Sequence, residues 1–375
     1  MNRFTRKKLL AGALVACICP AAGAADKAPA LSDVLKASGI DVSGYIDVSY
    51  QNKSTDPQTA TFHNYDTEQK SFNLHAFDLS VSSLPASGFG GLVEIQFGKD
   101  VTANAPVGQT AGTNVDALQV FMQYSSGPLG VMAGKFTTLA GAEVAQAVNN
   151  TNFSRSFLFT FAEPVTHTGV RGNYAVSDEL KFMVGVNNGW NILNENAAGN
   201  CSGAGGTPPC ATGKTIELGV SANPTKMIGI TGAYYTGDEV GTTQIGTRTL
   251  LDLVGTINLS DALSVVLNYD TADQDKAIGN AKAKWSGFAG YVNYKINDTW
   301  RLSGRLENFD DKQGFRTGTV QKLKEATVTA GYGIAKNAEL RFELRNDKSD
   351  KSVFLEDGKT KKTQNSLGIE AVYKF

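Results

Sequence analysis

Apolar and polar residues alternate along much of this chain with a period of two. Leu251, Leu253, Gly255, Ile257 and Leu259 alternate with Asp252, Val254, Thr256 and Asn258. Leu340, Phe342 and Leu344 alternate with Arg341, Glu343 and Arg345. The final segment sets Leu367, Ile369, Ala371, Tyr373 and Phe375 against Gly368, Glu370, Val372 and Lys374. Side chains of a strand point alternately to its two faces, so each segment predicts a β-strand with one apolar and one polar face. After residue 24 no apolar run reaches the ~18 residues that a membrane-spanning helix needs.

The connections between such segments fall into two alternating classes. Tight turns rich in Gly, Pro, Asn, Asp or Ser occur at 85–88, 126–128, 177–179, 223–226, 260–262, 297–299 and 336–338. Longer polar stretches lie near 51–70, 100–113, 138–164, 189–213, 237–246, 273–282, 310–319 and 348–361. Seven turns and eight loops make fifteen connections, hence sixteen strands. The even count and the alternation of short and long connections predict an all-β fold, a transmembrane antiparallel up-and-down β-barrel over 41–375. A soluble β-sandwich is the alternative, but the faces carrying Arg171, Arg305, Glu343 and Lys374 need water inside. Closure also pairs every backbone group and leaves no strand edge in lipid. Tyr50, Tyr124, Tyr174, Tyr234, Trp285, Tyr291, Trp300 and Tyr332 fall mostly near strand ends, where girdles of aromatic rings are expected at the two membrane interfaces.

Composition agrees with this and excludes other classes. Charged residues make up 19% of the chain, below the ~25% of soluble domains. With 35 basic and 36 acidic residues there is no footprint for nucleic acid. Residues 1–24 have the parts of a secretory signal: Arg3, Arg6, Lys7 and Lys8, an apolar stretch from Leu9 to Ile18, and the cleavage site Ala22-Gly23-Ala24. The other reading of this stretch is a lipoprotein box, Leu14-Val15-Ala16-Cys17. Removing four basic residues takes the net charge from −1 to −5. The remaining thiols, Cys201 and Cys210, flank a structureless Gly- and Pro-rich loop, and in an oxidising compartment they predict a disulfide. Residues 25–40 form a short N-terminal segment in which 31–38 fit a helix, with Leu31, Val34 and Leu35 on one face and Gly39 at its end. It either covers the periplasmic mouth or simply leads into the first strand.

The closing Gly368-Ile369-Glu370-Ala371-Val372-Tyr373-Lys374-Phe375 resembles the last strand of outer-membrane barrels. The stretches 31–39, Gly44-Tyr45-Ile46-Asp47, Phe153-Ser154-Arg155-Ser156 and Ala162 to Val170 make the chain, over roughly 31–375, similar to the OmpL-like β-barrel porin family of Gram-negative outer membranes. That resemblance implies a passive channel in the bacterial outer membrane, in contact with lipid and lipopolysaccharide. It implies that Tyr373 and Phe375 are the assembly signal read by the barrel-assembly machinery. Loop 138–164 lacks the Pro-Glu-Phe-Gly-Gly motif of the classical trimeric porins, so a homotrimer and their constriction do not carry over directly.

A barrel of this size leaves a water-filled lumen. The 27-residue loop 138–164 is long for a structureless connector. Leu139 to Val148 has helical character, and Phe157 to Phe161 is too apolar for open water. The loop is therefore expected to fold into the lumen with Glu143, Arg155 and Glu163 at a constriction; an extracellular lid or subunit latch is the alternative. Parity turns Lys135, Arg171, Arg305, Arg341 and Arg345 inward, with Glu94, Asp252, Glu307 and Glu343. These basic groups suggest a weak anion preference, whereas pairs such as Arg305 with Glu307, or Arg341 with Glu343, would brace the wall instead.

No nucleophile elbow, phosphate loop, zinc motif or dinucleotide fingerprint occurs, and no cofactor is implied. Three His residues are the whole supply of imidazole, and His75 near Ser71 and Ser80 is a weak hydrolase signal. The expected function is passive diffusion of small hydrophilic solutes and ions, with no enzyme activity. A substrate-specific channel is the nearest alternative, and a non-conducting adhesin or structural barrel a more distant one.

Overall fold

The computed structural model describes residues 31–57, 62–104, 106–109, 114–195 and 210–375. The proposed signal 1–24 and Cys201 lie outside the described residues. Cys210 is disulfide-bonded.

A short helix α1 (Leu31–Ala37) precedes the sheet, and a helical turn α2 (Val101–Asn104) sits in the second long loop. The first eight strands are β1 (Asp41–Lys53), β2 (Ser71–Ser83), β3 (Gly88–Phe97), β4 (Val115–Ser126), β5 (Leu129–Thr137), β6 (Thr166–Ala175), β7 (Leu180–Asn187) and β8 (Thr215–Thr225). They are followed by β9 (Ile228–Val240), β10 (Ile245–Asn258), β11 (Leu263–Ile278), β12 (Ala281–Lys295), β13 (Trp300–Asp311), β14 (Gln321–Ala335) and β15 (Ala338–Ser349). A small hairpin of β16 (Phe354–Glu356) and β17 (Lys359–Lys361) stands apart in the last loop, and β18 (Thr363–Lys374) returns to the wall. Each wall strand pairs antiparallel with its neighbours, and β1 pairs with β18 from Tyr45↔Lys374 to Lys53↔Ser366, closing a barrel of sixteen strands. At the seam Gly44 and Phe375 exchange both backbone hydrogen bonds, each 3.0 Å long.

The two-residue period decides which face meets lipid. In β10, Leu251 and Leu253 face out, while Arg248, Leu250, Asp252 and Val254 are buried inside. Tyr50, Tyr124, Tyr174, Tyr234 and Trp300 are exposed on the outer surface, and Trp300 lies 4.7 Å from Tyr332, ring centre to ring centre. Trp285 and Tyr291 do not belong to this girdle. They are odd-numbered positions of β12, which face inward with Ala283 and Ala289, and both are buried.

Two stretches expected as loops are strands. Residues 237–246 and 273–282 extend the sheet as continuations of β9 and β10 and of β11 and β12, leaving connections of only 241–244 and 279–280. There the outward face is polar as well, while the inward face carries buried polar residues such as Glu239 and Gln274, so the apolar half of the pattern disappears. Gly279, at φ +58, makes the tight turn between β11 and β12.

The core lies inside the barrel rather than between two sheets. Leu250, Trp285, Phe309 and Leu323 from the wall pack there with Phe157 and Leu158 from the loop between β5 and β6.

Candidate functional site

The connection 138–165 folds into the lumen and crosses it. Its first half is not helical, apart from a tight turn at Ala147–Asn149. Residues 139–146 instead follow the wall as irregular chain whose backbone groups find partners there. Leu139 N–H donates to the Tyr235 hydroxyl at 2.8 Å, and Ala142 N–H donates to Asn268 Oδ1 at 3.1 Å. The second half forms one wide π-helical turn, Leu158–Ala162. Phe157, Leu158 and Phe159 are buried, and Phe161 lies 5.8 Å from Phe309.

A buried loop must satisfy its own backbone polar groups, and charged wall residues do so here. Glu307 accepts from the N–H groups of Phe157 and Leu158 at 2.7 and 2.6 Å. Glu343 accepts from Phe153 and Ser154 at 2.7 and 3.0 Å. The loop carbonyls are served by arginines: Arg305 donates to Ser154 O at 2.7 Å, Arg345 to Arg155 O at 2.6 Å and Arg341 to Ala147 O at 3.2 Å. Carboxylates thus take the loop's donors and guanidinium groups take its acceptors, with the added strength of charge-assisted hydrogen bonds.

Two wall glycines seat the loop's side chains. A Cβ on Gly287 would stand 2.5 Å from Leu158 Cδ1, and one on Gly368 would stand 2.7 Å from the Phe153 ring. Both strand positions are hollows that a methyl group would fill.

All eight candidate pore residues face the interior, yet each is buried, with Lys135 the most exposed at 7%. They do not border open water as expected, because partners occupy them. Lys135 bonds both oxygens of Asp116, at 2.8 and 3.0 Å, away from the loop. Arg171 forms a two-point pair with Glu217 and lies 4.2 Å over the Phe136 ring. Arg155 clips the loop to itself through the carbonyls of Val144, Phe153 and Ala145, under the Tyr65 ring. The ion pairs Arg305–Glu307 and Arg341–Glu343 are not formed. Arg305 instead binds Glu143 and Glu325, each at 2.6 Å, and Arg341 binds Glu339 at 2.7 Å and Glu370 at 3.0 Å. Glu307 and Glu343 are left for the loop. Glu163 lies beside Asp252 and Asp270. Burial first, then the charges of Asp252, Glu143 and Glu307, push its pKa well above the usual carboxylate range.

Along the loop, Leu139, Gly141, Ala142, Gln146 and Val148 stay half-buried and Val144 is 37% exposed. The arc of wall from β2 to β9 carries further half-buried inward positions, including Ser80, Gln123, Asn173, Ser221 and Thr231. Among the charged inward residues, Arg301 and Glu339 also keep partial exposure and pair with each other at 2.6 Å.

Sequence reasoning missed two contributions. The first long loop also turns inward: His63 reaches Asp347 at 2.7 Å and Asp66 at 2.5 Å, and Phe62 packs 5.6 Å from Phe354. No period marks such contacts in the sequence. In β2 a bulge opposite Asp47 and Val48 turns His75 inward. It meets Ser49 at 2.6 Å and Asp100 at 2.8 Å, rather than Ser71 or Ser80.

A closed sixteen-strand barrel with an apolar belt, a polar lumen and an inward-folded loop between β5 and β6 is the architecture of an outer-membrane porin channel. The chain belongs to the family described as "Putative beta-barrel porin-2, OmpL-like", which matches residues 39–375. No curated protein matches it in sequence. Among solved structures it is similar to the outer membrane channel DcaP of Acinetobacter baumannii, with 14% identity, TM-score 0.63, and 90% of this chain and 97% of that chain covered. It is also similar to the anion-selective porin from Comamonas acidovorans, with 11% identity, TM-score 0.63 and coverage of 90% and 99%. A third is OmpT of Vibrio cholerae in its trimer form, with 12% identity, TM-score 0.58 and coverage of 90% and 99%. At these identities the likeness is one of fold.

Proposed function

We propose that this porin passes small hydrophilic solutes and ions by size, with weak ionic selectivity. The observation that carries this is the burial of the candidate charges: each candidate cation is engaged within the wall or with the loop, the candidate carboxylates are enclosed, and the charged pair Arg301–Glu339, which keeps partial exposure, is neutralised at 2.6 Å. The weak anion preference expected from the basic residues therefore loses its basis. The decisive experiment is reconstitution in a planar bilayer. A KCl gradient should give a reversal potential near zero, and a strongly positive or negative value would overturn the reading. Deleting residues 140–160 should raise single-channel conductance on the order of twofold or more, since the loop narrows the lumen. An unchanged conductance would place the loop outside the conducting path.

The finer assignments follow from the same reading. Residues 1–24 direct export and are removed, Cys201 pairs with Cys210, Tyr373 and Phe375 engage the assembly machinery, and the outer belt meets lipid and lipopolysaccharide. A homotrimer would open in conductance steps of three, a monomer in single steps. A substrate-specific channel would instead show saturation or competition in solute-swelling assays.

One arrangement has the outline of a hydrolytic site without its access. Ser49, His75 and Asp100 are connected in the order of a hydrolytic triad. All three are buried, and the Phe153 ring stands edge-on to His75 at 5.4 Å. A substrate carbonyl has no approach, so we assign the chain to wall bracing rather than catalysis. Ester hydrolysis that disappears in Ser49→Ala would reverse that assignment.

A further inference from the structure

Asp252 on β10 and Asp270 on β11 stand directly opposite each other in the sheet, and both face inward. Like charges at such a pair destabilise a sheet unless something offsets them. The loop adds a third carboxylate rather than a cation. Glu163, the residue after the π-helical turn, brings an oxygen into a group in which one oxygen from each residue lies within 4.8 Å of the others. None of the three forms an ion pair with a Lys, Arg or His among the described residues. Glu163 Oε2, Asp252 Oδ1 and both oxygens of Asp270 are buried without a hydrogen-bond partner. Asp270 is wholly enclosed, at 0% exposure. A carboxylate with both oxygens orphaned in a closed site is costly unless it is protonated or bound to a cation.

We propose that Glu163, Asp252 and Asp270 bind a divalent cation of the calcium type at the seam between the loop and the wall. Carboxylate oxygens are the ligands hard cations take, and two oxygens on one calcium at about 2.3–2.6 Å are at most about 5 Å apart. Magnesium retains several waters in its shell, which an enclosed site excludes. The neighbouring groups are already fixed. Asn268 donates to Asp252 Oδ2 at 2.7 Å while accepting from the Ala142 N–H, and Trp285 donates to Ala162 O at 3.2 Å. Such outer hydrogen bonds orient ligating carboxylates. Gly141 leaves the room: a Cβ there would stand 2.3 Å from Glu163 Oε1. The cation ties the end of the loop to β10 and β11, and it leaves the site with one negative charge instead of three.

The test uses the full-length mature protein in detergent, titrated with TbCl3 while the indoles are excited. Wild type should show saturable terbium emission, reversed by CaCl2 at lower concentration than by MgCl2. Glu163→Gln and Asp270→Asn, each still migrating as a folded barrel in unheated gels, should weaken calcium binding by more than about tenfold. In bilayers, a chelator should increase current noise in wild type and leave Glu163→Gln unaffected. Absence of saturable emission, or equal binding by wild type and both variants, would overturn the proposal and assign the cluster to shared protons. Should Asp270→Asn fail to fold, Glu163→Gln alone decides, because its change lies in the loop and not in the wall.

Discussion

Glu307 shows how a single side chain changes role between strand and site. By period it is one inward carboxylate among several; in the structure it holds two consecutive backbone N–H groups of the loop. Replacing it with Ala leaves both donors buried and unpaired, at a cost of about 2–4 kcal/mol. Hydrogen exchange should register this first at the Phe157 and Leu158 amides, with the strand amides around β13 still protected. Equal exchange in wild type and Glu307→Ala would show that the carboxylate does not hold the turn. The inward direction of Glu307 was legible from alternation with Leu306. Its partner was not, because Phe157 lies 150 positions away and backbone N–H groups carry no sequence signature.

Among the elements, the wall was far more readable than the loop. Strands declare themselves by repetition, and the alternations set out for 340–345 in β15 and 367–373 in β18 match the inward and outward faces position by position. Where the outward face is polar too the repetition fails, and the upper parts of β9 to β12 carry polar residues on both faces. The loop's entry into the lumen could be inferred from Phe157 to Phe161, which are too apolar for solvent. The irregular path of 139–146 could not, because Ala-rich sequence favours helix until the wall offers its backbone better partners. The fit of loop to wall depends on hollows as much as on charges. Gly287→Ile should displace Leu158 and loosen the π-helical turn while leaving the outward face unchanged. The expected result is a folded, heat-stable barrel whose conductance fluctuates; a quiet channel of wild-type conductance would show that the hollow is dispensable.

At the scale of the molecule, everything depends on closure between the first and last strands. Phe375 packs against Phe77 with ring centres 6.0 Å apart, and a Cβ on Gly44 would come within 2.6 Å of the Phe375 ring. Gly44→Val should therefore hinder the closing pair, lower the yield of barrel that resists SDS before heating, and leave secondary structure largely formed. Normal yield would mean that the seam tolerates a displaced terminal ring. Closure also explains how a chain with modest hydrophobicity, 41% by composition, survives in lipid. The bilayer sees only every second residue.

The wall is not of even height. β11 has 16 residues and β12 has 15, joined by a two-residue turn. At the usual rise and tilt, such a strand climbs roughly 40 Å, against an apolar belt of about 25 Å. On one side, then, a stiff parapet of paired strands rises beyond the apolar belt. A large molecule approaching from that side meets hydrogen-bonded sheet, because the connection between β11 and β12 spans only two residues.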